Sequence, residues 1–493
     1  MTAKANTDIL DKIVSLAKRR GFVFQSSEIY GGLNGCWDYG PLGVELLKNL
    51  KEEWWKFMTY REDVEGLDAS ILMHPRVWEA SGHVENFTDP MIDCKQCKSR
   101  FRLDILADTI AAKKKRKIFE AVSEKLKTAI PAIADKSLSD TDVDELFGSI
   151  LENKEFNEIL IEELNCPQCG NKGTFTIPRQ FNLMFKTNIG SVEDSGTVVY
   201  LRPETAQGIF VNFLNVQSAS RQKVPFGIAQ IGKAFRNEIN TKYFLFRTRE
   251  FEQMEMQFFV PPVDDKTWYD YWKAERMQWF KNLGMNPEKL RYHDHPANKL
   301  AHYAKEATDI EYLFPFGWGE IEGIHNRTDF DLGRHEQFSG KGMKYFDEET
   351  KEKFIPFIIE TSAGASRSFM AFLVDSYNEE MVNDEQRVVL KLHTRLAPIK
   401  AAILPLVNKD GMPEVSRKIE EDLRKTFKVF YDDKGAVGRR YRRQDEAGTP
   451  FCITIDTQTL SDQTVTIRER DSMLQERIAS DRISDYLMKK IIL

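Results

Sequence analysis

PFGIAQIGKAFRNEI (225–239) and RTREFEQMEMQFFV (247–260) read as two antiparallel strands joined by a loop over residues 240–246. The first strand is apolar until it ends in Arg236 and Glu238, which stand two apart and so share one strand face. On the return strand Arg249, Phe251, Gln253, Glu255 and Gln257 share a face, and Glu250, Glu252, Met254, Met256 and Phe258 share the other. The first file suits a mixed ligand. Arginine binds phosphate, an aromatic ring stacks on a base, and a carboxylate accepts an ammonium group. A half-exposed hairpin crossed by ion pairs would give the same pattern. Arg236, Arg247 and Arg249 around one turn tilt the reading toward an anion site.

Three further stretches carry polar residues at the ends of apolar elements. In YLRPETAQGIF (200–210), Glu204 lies between a strand and a helix, where a first-turn carboxylate would also serve the helix dipole. In IIETSAGASRSF (358–369), Glu360 and Ser362 close an apolar strand on one face, Gly364 permits close backbone approach, and Arg367 opens a helix. In GWGEIEGIHNRTDFDL (317–332), Glu320, Glu322 and Arg327 follow a glycine-rich turn and suit an ion-pair network. There is no G-x-x-x-x-G-K-[ST] phosphate loop, no G-x-G-x-x-G after a strand and no kinase signature set. A nucleotide would therefore lie on the antiparallel strands.

Farther out, the chain reads as several domains of an α+β protein. Its 493 residues exceed one compact core. Residues 1–91 hold a helix over 8–20, a helix from Pro41 and a strand, LDASILMHP, stopped at Pro75. Residues 92–180 read as an insertion, 181–261 as core, 262–345 as a second insertion with helical parts, and 346–397 as core again. Residues 398–493 alternate strands and helices as a C-terminal α/β domain. The net charge of −6 confines nucleic-acid binding to local patches. No apolar run reaches bilayer length and no secretory signal opens the chain, so no membrane partner is expected and cytoplasm is the expected compartment.

Four of the six cysteines form two C-x-x-C pairs, Cys94/Cys97 and Cys166/Cys169. This points to a structural Zn²⁺ site, with reduced thiols or a redox pair as the alternatives. Between the pairs, KKKRK (113–117) reads as a solvated helix face or a phosphate contact. GAVGRRYRRQDEAGTP (435–450) sets four arginines around Tyr441, a composition suited to single-stranded RNA.

With these residues in view, the chain resembles the class II aminoacyl-tRNA synthetases, and among them the homodimeric glycyl-tRNA synthetases. The helix from Pro41 through Pro75 resembles motif 1, FRNE with RTREF resembles motif 2, and GASRSFMAF resembles motif 3. YLRPETAQGIF and FRNEI match the glycyl branch, and the resemblance covers nearly the whole chain. It implies an antiparallel-sheet catalytic domain flanked by helices, a C-terminal anticodon-binding domain, and a homodimer.

The resemblance further implies ATP-dependent attachment of glycine to tRNA(Gly) through a glycyl-adenylate, with Mg²⁺ accompanying ATP. It assigns ATP contacts to Arg236, Asn237, Glu238, Phe246, Arg247, Thr248, Arg249, Glu250, Phe251, Glu320, Ile321, Gly364, Ala365, Ser366 and Arg367. Arg236 would hold the α-phosphate, Glu238 the adenine amino group, and Phe251 and Arg367 the two faces of the base. Glu320 and Glu360 would meet magnesium. The glycine pocket would use Arg102, Glu204, Phe251, Gln253, Glu255, Arg327, Glu360, Thr361, Ser362 and Gly364, with Arg236, Arg367 and Glu360 carrying the catalysis. Two rivals remain at this point: a paralogue activating a small amino acid for a carrier other than tRNA, and a non-catalytic zinc-stabilised RNA-binding protein.

Overall fold

The structure is a computed structural model that describes residues 3–491 apart from 152, 191–195, 242 and 302, with backbone only at 3–7 and 299. The chain divides into two compact units, 1–81 with 187–235 and 241–493, and 82–186 with 236–240.

The larger unit is built on a seven-stranded sheet. Its strands are β1 (Val64–Gly66), β2 (Phe226–Phe235), β3 (Glu250–Val260), β4 (Leu290–Asp294), β5 (Glu306–Phe314), β6 (Gly317–Thr328) and β7 (Phe357–Gly364), in the order β4-β5-β6-β7-β3-β2-β1. All neighbours are antiparallel except β1 and β2. Strand alternation sends Met254, Met256 and Phe258 of β3 into one buried cluster with Leu46, Leu50 and Trp54 of the helix Pro41–Thr59. The same cluster takes Trp272 and Phe280 of the helix Asp265–Asn282 and Phe369 and Phe372 of the helix Ala365–Ser376. One face of the sheet is thus sealed by helices, and β3 and β7 turn Gln253, Glu255 and Glu360 to the opposite face.

Four expectations are corrected. Residues 262–345 are not a separate insertion, because they supply β4, β5 and β6 to the same sheet. The helical parts expected there are Asp265–Asn282 and Phe330–Ser339, and between them the chain runs as strands with one covered face. The strand near motif 1 is only Val64–Gly66, and Pro75 starts a helix, Pro75–Ala80, instead of stopping a strand. Proline at a first helical position loses no hydrogen bond, and the His74 ring accepts from the Arg76 N–H at 3.2 Å. β2 ends at Phe235, the last residue paired with β3, so Arg236 and Glu238 lie beyond it. The Glu238 N–H bonds the Arg236 carbonyl at 2.7 Å, a tight turn around Asn237, whose own N–H goes to the Leu183 carbonyl at 2.7 Å. Finally, Glu204 precedes the helix Ala206–Phe210 and is not in its first turn.

The C-terminal part folds as a five-stranded mixed sheet, Val429–Tyr431, Ala401–Pro405, Phe451–Ile455, Thr464–Glu469 and Gln475–Ala479 in spatial order, with helices against it. The smaller unit has its own core around Phe119, Phe147 and Phe156 and a three-stranded sheet. Among the described residues no helix is long and apolar enough to cross a membrane.

Candidate active site

The open face of the sheet carries two buried carboxylates in opposite electrostatic settings. Glu360, on β7, sits across from His325 of β6 and Gln257 of β3. It accepts from Gln257 Nε2 at 2.9 Å, from Arg327 Nη1 at 3.2 Å to both oxygens, and meets His325 Nδ1 at 2.8 Å. Arg327 is fixed on its other edge by Asp331, at 2.7 and 3.0 Å, and its guanidinium lies over the rings of Tyr303 and Phe210 at 4.0 and 5.3 Å. Burial alone would raise the Glu360 pKa, but Arg327 and His325 outweigh it and bring it down to about 2. Burial works against protonated His325 as well, yet the bond to Glu360 lifts its pKa.

Glu255 lies two residues from Gln257 along β3 and is bonded by hydroxyls and an amide instead. It accepts from Thr205 Oγ1 at 2.6 Å, Ser362 Oγ at 2.8 Å and Gln253 Nε2 at 2.8 Å. Burial, then the charges of Glu360 and Glu204, push its pKa up to about 8. Glu204 accepts from Gln207 Nε2 at 3.0 Å, and Gln207 also reaches Asp331 and His335. The network therefore runs from Glu204 through Gln207 and Asp331 to Arg327 and Glu360. A site rich in acceptors and already fitted with hydroxyls suits a small cation such as an ammonium group.

A second cluster forms where the helix Ala365–Ser376 begins. Arg367 donates to the Phe246 carbonyl at 3.0 Å and to Glu320, carbonyl at 3.2 Å and Oε2 at 2.9 Å, with its guanidinium over the Phe246 ring at 4.5 Å. Glu320 reaches this place through a bulge. Ile310 pairs with Glu322 and Glu311 with Glu320, so Ile321 is an extra residue that reverses the alternation. Glu322 instead points under the sheet to Arg276 at 2.7 Å, both side chains fully buried. Arg249 is directed to the loop before Trp37, bonding the Asn34 carbonyl at 2.7 Å, and Ser366 accepts from Tyr39 Oη at 3.0 Å. Phe251, Thr248 and Glu250 line a cavity of about 430 Å³ with Trp37, Lys51 and Lys233. Gly364 has φ −75°, and a Cβ there would stand 3.6 Å from the Arg367 stem. Among the described residues such a Cβ would meet only the Arg367 stem, at ordinary contact distance.

Arg236, Asn237, Glu238 and Arg102 belong to the smaller unit. There Arg236 lies over the Phe87 ring at 5.5 Å, and Arg102 is held by Asp104 at 2.6 and 3.1 Å and by Asp89 at 3.1 Å. The four cysteine sulfurs of that unit lie within 4.8 Å of one another, with Cys94–Cys169 at 3.8 Å and Cys97–Cys166 at 3.6 Å. Tetrahedral zinc–thiolate bonds of about 2.3 Å set sulfurs about 3.8 Å apart, so the donor set fits that ion.

Two basic runs change meaning. In 113–117, Lys115 is buried on Asp144, Lys114 caps the Glu163 carbonyl and Arg116 holds Asp140, which leaves Lys113 and Lys117 exposed. In the helix Val437–Ala447, Arg440 is buried and donates to the carbonyls of Pro405 and Asp432, while Tyr441 is tied to Thr454 at 2.6 Å. Helical spacing turns these side chains inward, so Tyr441 is not the exposed stacking ring expected from the sequence.

Sequence reasoning passed over Thr205, Gln207, His325 and Asp331. All four lie inside the stretches singled out. Asp331 reaches Arg327 only because the strand gives way to a helix between them, which no periodicity reveals.

Comparison with known proteins matches three families in chain order. These are "Glycyl-tRNA synthetase insertion domain 1" over residues 89–183, "tRNA synthetase class II core domain (G, H, P, S and T)" over 185–377, and "Anticodon binding domain" over 400–490. A glycine–tRNA ligase of Treponema denticola is 53% identical over 98% of this chain and 97% of its own length. The corresponding ligase of Borreliella burgdorferi is 52% identical, over 98% of each chain, and that of Streptomyces coelicolor 49%, over 98% of this chain and 99% of its own. With the antiparallel sheet, the three motif regions and identities of this size along its whole length, the chain belongs to the glycine–tRNA ligase family of class II aminoacyl-tRNA synthetases.

Proposed function

We infer that the chain activates glycine with ATP and transfers it to tRNA(Gly). The observation that carries this reading is the buried acceptor pocket of Glu255, Thr205 and Ser362 beside the Arg327–Glu360 pair, on the sheet face that also presents Arg367. The glycine ammonium group would sit against Glu255 and Glu204. Larger amino acids would be refused by volume, and no smaller one competes.

The glycine carboxylate, already ionised at neutral pH, attacks the α-phosphorus of ATP. A carboxyl-oxygen–phosphorus bond forms, the bond to the bridging oxygen breaks, and pyrophosphate leaves. Arg236 and Arg367 are assigned to the charge that builds on the α-phosphate, Glu238 to the adenine amino group and Phe251 to its ring. Asn237, Phe246, Arg247, Thr248, Arg249, Glu250, Ile321, Ala365 and Ser366 complete the nucleotide contacts assigned by family resemblance. Mg²⁺ carried by ATP would supply further charge neutralisation, with Glu320 as its contact in this chain. Glu360 is better suited to holding Arg327 and His325, since both its oxygens already face cations. The terminal hydroxyl of tRNA then attacks the glycyl carbonyl and AMP leaves. The C-terminal domain would hold the anticodon, the cysteine cluster a structural zinc, and two copies of the chain a dimer.

The test is ATP–pyrophosphate exchange with each of the twenty amino acids, without tRNA. Exchange with glycine alone is expected. No exchange from folded, metal-replete protein would overturn the assignment.

A further inference from the structure

We propose that His293, His295 and Asp309 form a binding site for a divalent transition-metal cation of the zinc class at the outer edge of the seven-stranded sheet. β4 is the edge strand, and its register sets His293 directly opposite Asp309 of β5. His295 follows two residues later, on the same face, and its N–H continues the ladder to the Ala307 carbonyl at 2.9 Å. The two imidazole centroids are 5.4 Å apart. His295 Nε2 lies 2.8 Å and His293 Nδ1 4.0 Å from Asp309 Oδ2, and one donor atom from each residue falls within a 4.8 Å group.

Ligands bound tetrahedrally at 2.0–2.2 Å stand about 3.3 Å apart. The observed separations bracket that value, and the half-exposed His293 ring is free to close the longer one. Glu311 Oε1 lies 3.6 Å from His293 Nδ1, but Glu311 falls outside the 4.8 Å group, and its other oxygen is held by Arg291 at 2.6 and 2.7 Å, with Arg291 itself laid over Trp318 at 4.2 Å. The donor set left is two imidazoles and one carboxylate. Imidazole favours zinc, nickel, cobalt and copper over magnesium or calcium. Across from Asp309 on β6 stands Gly323, and the His325 ring lies over it, with Cε1 2.6 Å from where a Cβ would stand. Three protein ligands leave a coordination position for water or a further ligand, unlike the closed four-sulfur set of the smaller unit.

The experiment is metal counting on the full-length chain at buffered free Zn²⁺, repeated with Co²⁺ for its absorption spectrum. The double variant His293→Ala/His295→Ala and the single variant Asp309→Asn, which keeps a hydrogen-bonding group toward His295, are compared with the parent. One metal ion per chain fewer is expected in both. The thiolate-to-cobalt absorption of the cysteine cluster and the thermal midpoint should be unchanged, which separates this site from the cysteine site. Equal metal counts in parent and variants, or displacement by an equal concentration of Mg²⁺, would overturn the proposal.

Discussion

Glu255 and Glu360 face the same side of adjacent strands, yet burial leaves one protonated near neutrality and neighbouring cations keep the other ionised. The difference has a binding consequence. Glu255, with its pKa raised to about 8, holds a proton at pH 7, and an ammonium group placed against it would drive that proton off. Glycine binding at pH 7 should therefore release about one proton per site. Calorimetry in buffers of different ionisation enthalpy measures this directly, and Glu255→Gln should abolish it. For Glu360 the sign is reversed. Its folded value of about 2 lies below the ordinary carboxylate value, so its stabilisation is complete above pH of about 4.3 and is lost as pH falls toward 2. Glu360→Gln leaves Arg327 and His325 buried without their counter-charge. It should cost about 3 kcal/mol in denaturant unfolding and lower glycine-dependent exchange by about 100-fold or more.

Among the elements, the helix Pro41–Thr59 shows how packing overrides propensity. Gly43 sits near its start, where alanine would ordinarily gain about 1 kcal/mol. Here a Cβ would stand 1.8 Å from the Phe22 carbonyl oxygen, because the helix lies directly on the backbone of the preceding segment. Gly43→Ala should therefore destabilise the protein by about 1–3 kcal/mol, read as a lowered thermal midpoint. The bulge at Ile321 is the matching case in a strand. Periodicity puts Glu320 and Glu322 on one face, but the extra residue sends one to Arg367 and the other to buried Arg276.

At the scale of the whole molecule, the C-terminal part is fastened to the catalytic part by buried charge. Arg387, on the hairpin strand Glu385–Leu390, is fully buried against Asp445 at 2.8 Å, and Arg468 meets the same carboxylate at 3.0 Å. Arg470 adds bonds to the carbonyls of Leu392 and Gly448, both at 2.8 Å. Removing Asp445 takes the shared carboxylate from two buried arginines, of which Arg387 keeps Glu380. Asp445→Ala should cost about 3–5 kcal/mol and reduce tRNA charging far more than glycine-dependent pyrophosphate exchange. Equal losses in the two assays would argue against a positioning role for this joint. In the smaller unit, chelation should raise hydrogen exchange around residues 94–97 and 166–169 and leave β3 and β7 protected.

The sequence by itself determined which residues alternate on β3, which cysteines pair in spacing, and which short stretches hold the polar residues of the site. Those properties are local, set by a period of two or by neighbours in the chain. Only the tertiary structure decided that 290–328 belong to the central sheet, since strand partnership depends on segments far apart in sequence. It also decided that Arg236 and Glu238 leave the strand at Phe235, where pairing with β3 stops. The inward turn of Lys115, Arg440 and Tyr441 required partners such as Asp144, Pro405 and Thr454, supplied from elsewhere in the chain. The contrast between Glu255 and Glu360 lies beyond the reach of sequence for the same reason. A carboxylate's charge is fixed by what the fold places within a few ångströms of it, and in this protein that is a hydroxyl pair for one and an arginine with a histidine for the other.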